Sequence, residues 1–135
     1  MRKLLTTNLP LSLFHFYLLL LRIGVAGLML THGYPKILKL VEGNMTFGDP
    51  YGIGAGLSLV LIVFAEAVCS LLIGLGLATR LATLPLIFAM YTAAFVVHAD
   101  DPFAKQEMPI LYILIYATIL VAGPGKYSID QKIGK

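Results

Sequence analysis

Four long apolar stretches constrain this chain more than any other feature of its sequence. They cover about residues 11–30, 53–77, 81–97 and 108–122. A helix needs about 20 apolar residues to cross roughly 30 Å of hydrocarbon. The runs are continuous and do not alternate between apolar and polar residues, so a membrane β-barrel is a poor alternative. The sequence therefore predicts an all-α fold, a polytopic membrane four-helix bundle.

The composition excludes several classes of protein. Charged residues make up 13% of the 135 residues, whereas hydrophobic residues make up 59%. A soluble domain has about 25% charged residues, so this chain lacks the charge to cover a water-facing surface. A soluble enzyme, a disordered regulator and an autonomous nucleic-acid binder are thereby excluded. The single cysteine, Cys69, excludes an internal disulfide and a zinc or redox motif built from a cysteine pair.

The chain is predicted to form a single membrane domain, 1–135, with outer loops at 33–52 and 98–107. In the first outer loop, Pro35 suits the first position of a helix. The apolar residues after it fall on one helical face, away from the charged ones: Ile37, Leu38, Leu40 and Val41. This pattern predicts a short amphipathic helix that lies at the membrane interface.

Charge placement predicts the orientation of the four spans. Both chain termini and the connection at Arg80 fall on one side, which carries six of the ten Lys and Arg residues. The other side carries three. Basic residues near the ends of spans are retained in the cytoplasm, so both termini are predicted to be cytoplasmic. The six residues are Arg2, Lys3, Arg80, Lys126, Lys132 and Lys135.

Arg22 and Glu66 interrupt the first and second apolar stretches. A charge at mid-membrane costs roughly 2.5–3.5 kcal/mol on insertion scales, so one charge of each sign suggests a pair. Counted from the outer ends of their spans, the two residues lie at similar depths, within about one helical turn. Two interpretations stay open. The pair locks the first two helices together, or it lines a polar pocket for a substrate headgroup or a proton.

A second group of polar residues is expected at the outer ends of the helices. Two histidines and nearby carboxylates are a pattern that could bind a metal, but residues that cap helix ends are the preferred interpretation, and no metal site is assigned. A proton-relay role for the histidines stays open, since histidine titrates near physiological pH. The members of this outer polar cluster are His32, Lys36, His98, Asp100, Asp101 and Glu107.

Phe88, Tyr91 and Phe95 share one face of the third helix at three- and four-residue spacing. This face could form the wall of a pocket for a flat ring such as a quinone. Ordinary packing in the bundle or contact with lipid is the alternative, and it is favoured.

Several sequence pieces, in order, resemble the DoxX-like family of small four-helix bacterial membrane proteins. The pieces are Arg22-x-Gly24, His32-Gly33-Tyr34-x-Lys36, Glu66, Gly74-x-Gly76-x-x-Thr79-Arg80, His98 and the run from Gly123 to Asp130. The resemblance covers nearly the whole chain. It implies a multi-pass protein of the bacterial cytoplasmic (inner) membrane. Relatives include a subunit of a thiosulfate:quinone oxidoreductase and proteins linked to quinone or thiol stress, so a quinone and a partner redox protein are implied.

Three functions follow from these observations. The first is an integral membrane component of a quinone-linked oxidoreductase or redox-stress system, without independent enzymatic activity. The second is a non-catalytic scaffold that docks a partner protein, and the third is a small proton-coupled transporter, in which the chain forms a homo-oligomer. The resemblance supplies no catalytic residues and no definite cofactor, and quinone is the candidate that it implies. The substrate stays open.

Overall fold

The computed structural model describes residues 9–134. Four long helices follow one another: α1 (Leu11–Val41), α2 (Ala55–Leu75), α3 (Thr79–Val97) and α4 (Phe103–Ala122). A short helix, α5 (Ile129–Ile133), follows α4. No strand occurs within residues 9–134. Three residues used to predict orientation, Arg2, Lys3 and Lys135, lie outside the described part.

All four long helices are long enough and apolar enough to cross a membrane. The prediction of an all-α membrane bundle with four spans is confirmed. α1 packs along α2, α2 packs against α3, and α3 packs along α4, while α4 returns to touch α1. The bundle is thus built from consecutive antiparallel neighbours.

The core of the bundle is tightly buried, whereas its outer surface is apolar. Met29, Leu59, Ile73, Leu86 and Ile119 have no exposed surface. Large apolar side chains cover the outside, among them Leu28, Leu81, Phe88, Leu114 and Val121, each at least half exposed. A continuous apolar exterior of this extent is typical of a surface that faces lipid.

The segment predicted as a separate amphipathic helix is instead the last part of α1, and that prediction is wrong. α1 continues through Pro35 and ends at Val41. A membrane helix tolerates an internal proline where neighbouring elements stabilise it. Here Gly33 lies against α2, and Lys36 pairs with α2 across the same contact.

α4 begins at Phe103, directly after Pro102, and so takes in part of the predicted second outer loop. Pro109 lies inside this helix. The connection between α3 and α4 is therefore shorter than predicted, because the polar residues before Met108 form helix.

Two of the helices contain a π-helical turn. One, Phe64–Cys69, lies in the middle of α2, and the other, Ala93–Val97, ends α3. Such turns insert one residue into the helical ladder and occur frequently at functional sites. The first one contains Glu66, whose position in α2 is therefore set by a widened turn.

The bundle has two ends, which differ in the segments that they carry. The loop end carries the connections 42–54 and 98–102, and the terminal end carries Leu9 and the segment that follows α4. At the terminal end this segment folds back onto the bundle, because the backbone N–H of Lys126 donates to Nδ1 of His15 at 3.3 Å.

Candidate polar site within the bundle

Glu66 forms an ion pair with Lys36 of α1. The Lys36 Nζ lies 2.5 Å from the Glu66 Oε2. The Glu66 side chain is 4% exposed and the Lys36 side chain 24% exposed. A carboxylate removed from water in this way needs a charged or hydrogen-bonding partner. Lys36 supplies one while it reaches the surface of the bundle near the loop end.

The predicted contact between Arg22 and Glu66 is wrong. Arg22 donates to the carbonyl oxygen of Ile73 at 3.3 Å and to that of Tyr127. The residue of α1 that faces Glu66 is Gly33, and it lies eleven residues after Arg22, or about 16 Å along the helix. The two charges therefore occupy separate levels of the bundle, and each has its own surroundings.

Two tyrosines of α4 are buried in the core of the bundle. Tyr112 meets the edge of the His32 ring, with the ring centroids 6.0 Å apart, and stacks on Tyr116 at 6.0 Å. Tyr112 is 6% exposed and Tyr116 is fully buried. His32 itself is exposed at the surface of α1. The four-residue spacing of Tyr112 and Tyr116 places them on one face, and from sequence it leaves the same two interpretations open as for Phe88, Tyr91 and Phe95, a pocket wall or ordinary packing.

The predicted outer polar cluster divides into separate parts. Lys36 belongs to the ion pair with Glu66, and His32 packs on Tyr112. At the start of the second connection, the His98 Nδ1 lies 2.7 Å from the Asp101 Oδ2, and Lys105 reaches the same carboxylate at 3.3 Å. The hydrogen bond from His98, followed by that from Lys105, lowers the pKa of Asp101 below its ordinary value.

The other acidic members of the cluster, Asp100 and Glu107, are exposed. Within residues 9–134, no group of three or more His, Cys, Asp or Glu side chains is arranged to hold a metal ion. The Gln106 side chain donates to the His98 carbonyl oxygen at 2.8 Å. This part of the cluster therefore closes the connection between α3 and α4.

Phe88, Tyr91 and Phe95 do not wall a pocket inside the bundle. They are 60%, 51% and 48% exposed and lie on the outer face of α3. Tyr51 stacks on Phe88 with a centroid distance of 5.9 Å, and Tyr91 packs beside Phe95 at 5.1 Å. The face therefore belongs to the surface that would contact lipid, which is the favoured interpretation of its spacing.

Asp49 organises the first connection through its side-chain hydrogen bonds. Its carboxylate accepts hydrogen bonds from the backbone N–H groups of Gly54 and Ile53, at 2.8 and 2.9 Å, and from the Ser58 hydroxyl at 3.1 Å. These bonds, that from Gly54 foremost, lower the pKa of Asp49. A carboxylate at the beginning of α2 satisfies N–H groups that the helix itself leaves free.

Asp130 caps α3 from the far end of the chain. Its carboxylate accepts from the backbone N–H groups of Ala78 and Thr79, at 2.7 and 2.9 Å, and from the Thr79 hydroxyl at 2.7 Å. Its own backbone N–H donates to the Gly76 carbonyl oxygen at 2.8 Å. Partial burial raises the pKa of Asp130, but the hydrogen bonds from Thr79 and Ala78 outweigh it, and the pKa lies below its ordinary value.

Comparison with known proteins decides the family. The family model described as DoxX matches residues 17–99, which include α1 beyond its first turns, all of α2 and all of α3. The chain belongs to the DoxX family. It is 33% identical over 131 residues to a protein of Haemophilus influenzae (strain Rd) that is described only as uncharacterized, and the match covers 89% of this chain and 92% of that protein. No solved structure matches this chain.

Several of the DoxX-like sequence pieces meet at the terminal end. Arg22 is fully buried there, between the carbonyl oxygens of Ile73 and Tyr127. Gly76 adopts a left-handed conformation with φ +73°, and a methyl group added to it would overlap the Arg22 guanidinium. Arg22 of this DoxX protein therefore anchors the segment after α4. This contact is separate from the Lys36–Glu66 pair.

Proposed function

We propose that this DoxX protein is a cytoplasmic-membrane component of a quinone-linked redox system, in which Lys36 and Glu66 hold the quinone headgroup. The observation that carries the proposal is a buried carboxylate paired with a partly exposed lysine inside an apolar bundle. Ionisable residues within a membrane are costly and typically mark sites of function. The multi-pass architecture and the family support the membrane part of the proposal.

The ion pair offers both kinds of hydrogen bond that a quinone headgroup requires. The Lys36 ammonium has donors for a quinone carbonyl oxygen, and the Glu66 carboxylate accepts from a quinol hydroxyl. Lys36 keeps about a quarter of its side-chain surface exposed, so a ligand that arrives from the lipid can reach it. The Tyr112 ring, which packs against His32 one turn before Lys36 on α1, adds a flat surface at this level of the bundle.

The orientation is proposed from the basic residues of the whole sequence, because those of the described part are evenly divided between the two ends. The terminal end carries Arg80, Lys126 and Lys132, and the loop end carries Lys36, Lys39 and Lys105. The six basic residues that the sequence assigns to the side of the chain termini favour the terminal end as the cytoplasmic side. The headgroup site would then lie in the outer half of the bundle. Cys69 is 1% exposed, so a thiol of a partner protein has no access to it. Electrons are therefore proposed to come from a partner redox protein.

The test is binding of decylubiquinone to the protein in lipid nanodiscs, measured by microscale thermophoresis. Glu66→Gln and Lys36→Met are each expected to weaken binding at least about tenfold, since a hydrogen bond to a charged group contributes about 1.5–3 kcal/mol. Lys39→Met is the matched control, because Lys39 lies on the same helix but is exposed. Equal affinity in all four proteins would reject the site.

A second function, a non-catalytic scaffold, is favoured by the first connection. Nearly every residue of 42–54 is exposed, yet the Asp49 carboxylate holds the turn in one shape. An ordered exposed loop is suited to docking a partner protein. Replacement of 44–48 by a Gly/Ser segment of equal length, compared with Glu66→Gln in a cross-linked pull-down, separates the two functions. Loss of partners only in the loop variant would favour the scaffold.

A further inference from the structure

The buried polar atoms without a hydrogen-bond partner all lie within the interior of one bundle. Within residues 9–134 they are the Tyr116 hydroxyl, the Ser70 hydroxyl and Nε of Arg22. All three residues have no exposed surface. A buried polar group left unpaired costs about 1–3 kcal/mol, and native proteins rarely keep such groups without a role. Phenylalanine and alanine would fill the first two positions without that cost.

The positions of these residues follow two matching stripes. α2 and α4 both run from the loop end to the terminal end. Glu66, Ser70 and Ile73 lie along α2, and Tyr112, Tyr116 and Ile119 lie along α4 with the same spacing; all six are buried. Ser70 and Tyr116 occupy corresponding positions in the two stripes, one turn closer to the terminal end than Glu66 and Tyr112. The polar positions therefore descend from Glu66 toward the terminal end in register on the two helices.

Arg22 ends this descent. It donates to the carbonyl oxygen of Ile73, which lies three residues after Ser70 along α2, or about 4.5 Å. Arg22 also donates a second hydrogen bond, to the Tyr127 carbonyl oxygen. The Tyr127 side chain is 47% exposed. Polar groups thus occur at successive levels from Glu66 to the surface of the terminal end.

We propose that the hydroxyls of Tyr112, Tyr116 and Ser70, joined by internal water, form a proton route between the Glu66 carboxylate and the terminal end. The inference deepens the proposed function, because it names the path by which the headgroup site exchanges protons. A buried water needs about three polar partners, and each of the three unpaired atoms is free to be one of them. The proton that Glu66 takes up or releases moves along the hydroxyls.

The groups that face Glu66 fit this division of roles. From α1, Lys36 holds one carboxylate oxygen and closes the direct path to the loop end. From α4, the Tyr112 ring packs against the His32 ring, which lies one turn before Lys36 on α1. From α2 itself, Cys69 and Ser70 follow in the next turn and are both buried. In this proposal, the proton therefore leaves Glu66 along the hydroxyl stripe and not past Lys36.

The experiment measures exchange of the Glu66 proton without any quinone. Protein in nanodiscs is held in acidic buffer, and the infrared carbonyl band of the protonated Glu66 is assigned by its loss in Glu66→Gln. The buffer is then changed from H2O to D2O, and the rate of the isotope shift is followed. Tyr116→Phe and Ser70→Ala are expected to slow this rate at least about tenfold. Tyr91→Phe is the control, because Tyr91 is exposed on α3.

Thermal unfolding of the same variants gives a second readout that does not depend on exchange. If the hydroxyls bind internal water, Tyr116→Phe and Ser70→Ala lower the Tm relative to Tyr91→Phe. An unchanged exchange rate together with a raised Tm would overturn the proposal, since idle unpaired hydroxyls are stabilising to remove. An exchange rate that changes in Lys36→Met but not in Tyr116→Phe would overturn it as well. Failure of decylubiquinone to bind would affect only the headgroup assignment.

Discussion

Gly33 of α1 lies directly against the backbone of Glu66 in α2. A methyl group on Gly33 would stand 3.1 Å from the Glu66 carbonyl carbon and 3.2 Å from its oxygen. Contacts between small residues and a neighbouring backbone allow membrane helices to approach closely. The approach brings Lys36, one helical turn further on, within reach of the Glu66 carboxylate. One glycine therefore sets the geometry of the ion pair.

Substitution of this glycine should separate the helices. Gly33→Ala is expected to lower the free energy of unfolding by about 1–3 kcal/mol, because the added carbon has no room against backbone atoms. Gly27→Ala is the matched control on the same helix, since a carbon added there meets nothing and alanine favours helix by up to about 1 kcal/mol. Denaturant titration in mild detergent measures both. Equal effects of the two substitutions would contradict the close contact.

Removal of Lys36 should leave an uncompensated buried carboxylate. Lys36→Met is expected to destabilise the protein by roughly 3 kcal/mol, as occurs when one partner of a buried ion pair is lost. The double variant Lys36→Met with Glu66→Gln should regain most of this stability, because no buried charge is then left. Unfolding of the two single variants and the double variant forms a thermodynamic cycle. A coupling free energy near zero would show that the pair does not stabilise the fold.

Arg22 should hold the segment after α4, with no effect on the Lys36–Glu66 site. Arg22→Met removes the hydrogen bonds to the carbonyl oxygens of Ile73 and Tyr127. We expect trypsin to cleave after Lys126 at least about tenfold faster, because cleavage follows the population of the open segment. Ile23→Met, an exposed neighbour, should leave the cleavage rate unchanged. Weaker decylubiquinone binding in Arg22→Met would instead return Arg22 to the headgroup site.

Asp130 should make the stability of the terminal end depend on pH. Its pKa is lower in the folded protein than in the unfolded chain, where it is about 3.9. The carboxylate therefore stabilises the fold fully above that value, and this stability is lost as the pH falls through the folded pKa. Asp130→Asn should cost about 0.5–2 kcal/mol near neutral pH, as for loss of a helix cap.

The measurement for Asp130 compares the thermal unfolding of wild type and Asp130→Asn from neutral to acidic pH. The difference between the two Tm values should be largest near neutrality and should shrink below about pH 4. Taking the difference removes the contributions of Asp49 and Asp101, whose pKa values are also lowered. A difference that stays constant over the whole pH range would show that the carboxylate charge has no part in the cap.

The four spans could be predicted from the sequence because lipid requires long apolar helices, and that requirement is visible in every run. The partner of Glu66 could not be predicted from the sequence. The sequence estimate placed the loop end of the first helix near His32, whereas α1 continues to Val41. Because α1 ends later than predicted, Arg22 lies further from the loop end than the estimate gave, and Lys36 lies within the bundle. A hydropathy pattern places a lysine that follows a proline at the membrane interface, and it carries no information about the long-range partner of that lysine.

The cap on α3 escaped prediction for another reason. Asp130 and Thr79 are 51 residues apart in the chain, and their contact depends on how the segment after Gly123 folds back. Helical periodicity carries no information about such a return. The same holds for the π-helical turn around Glu66, which packs against both α1 and α3. The sequence marked the chemistry of these residues, but their partners follow only from the assembled bundle.

The length of α1 has a consequence for the bilayer around it. Its 31 residues extend for about 46 Å, whereas the hydrocarbon layer is about 30 Å thick. The helix must tilt or extend into the headgroup layer, and Lys36 lies in its last turns. A thicker membrane would therefore submerge the ammonium group, and a thinner one would leave it in contact with water and phosphate. Acyl-chain length of the host lipid thus becomes a means of tuning how firmly that lysine holds its carboxylate.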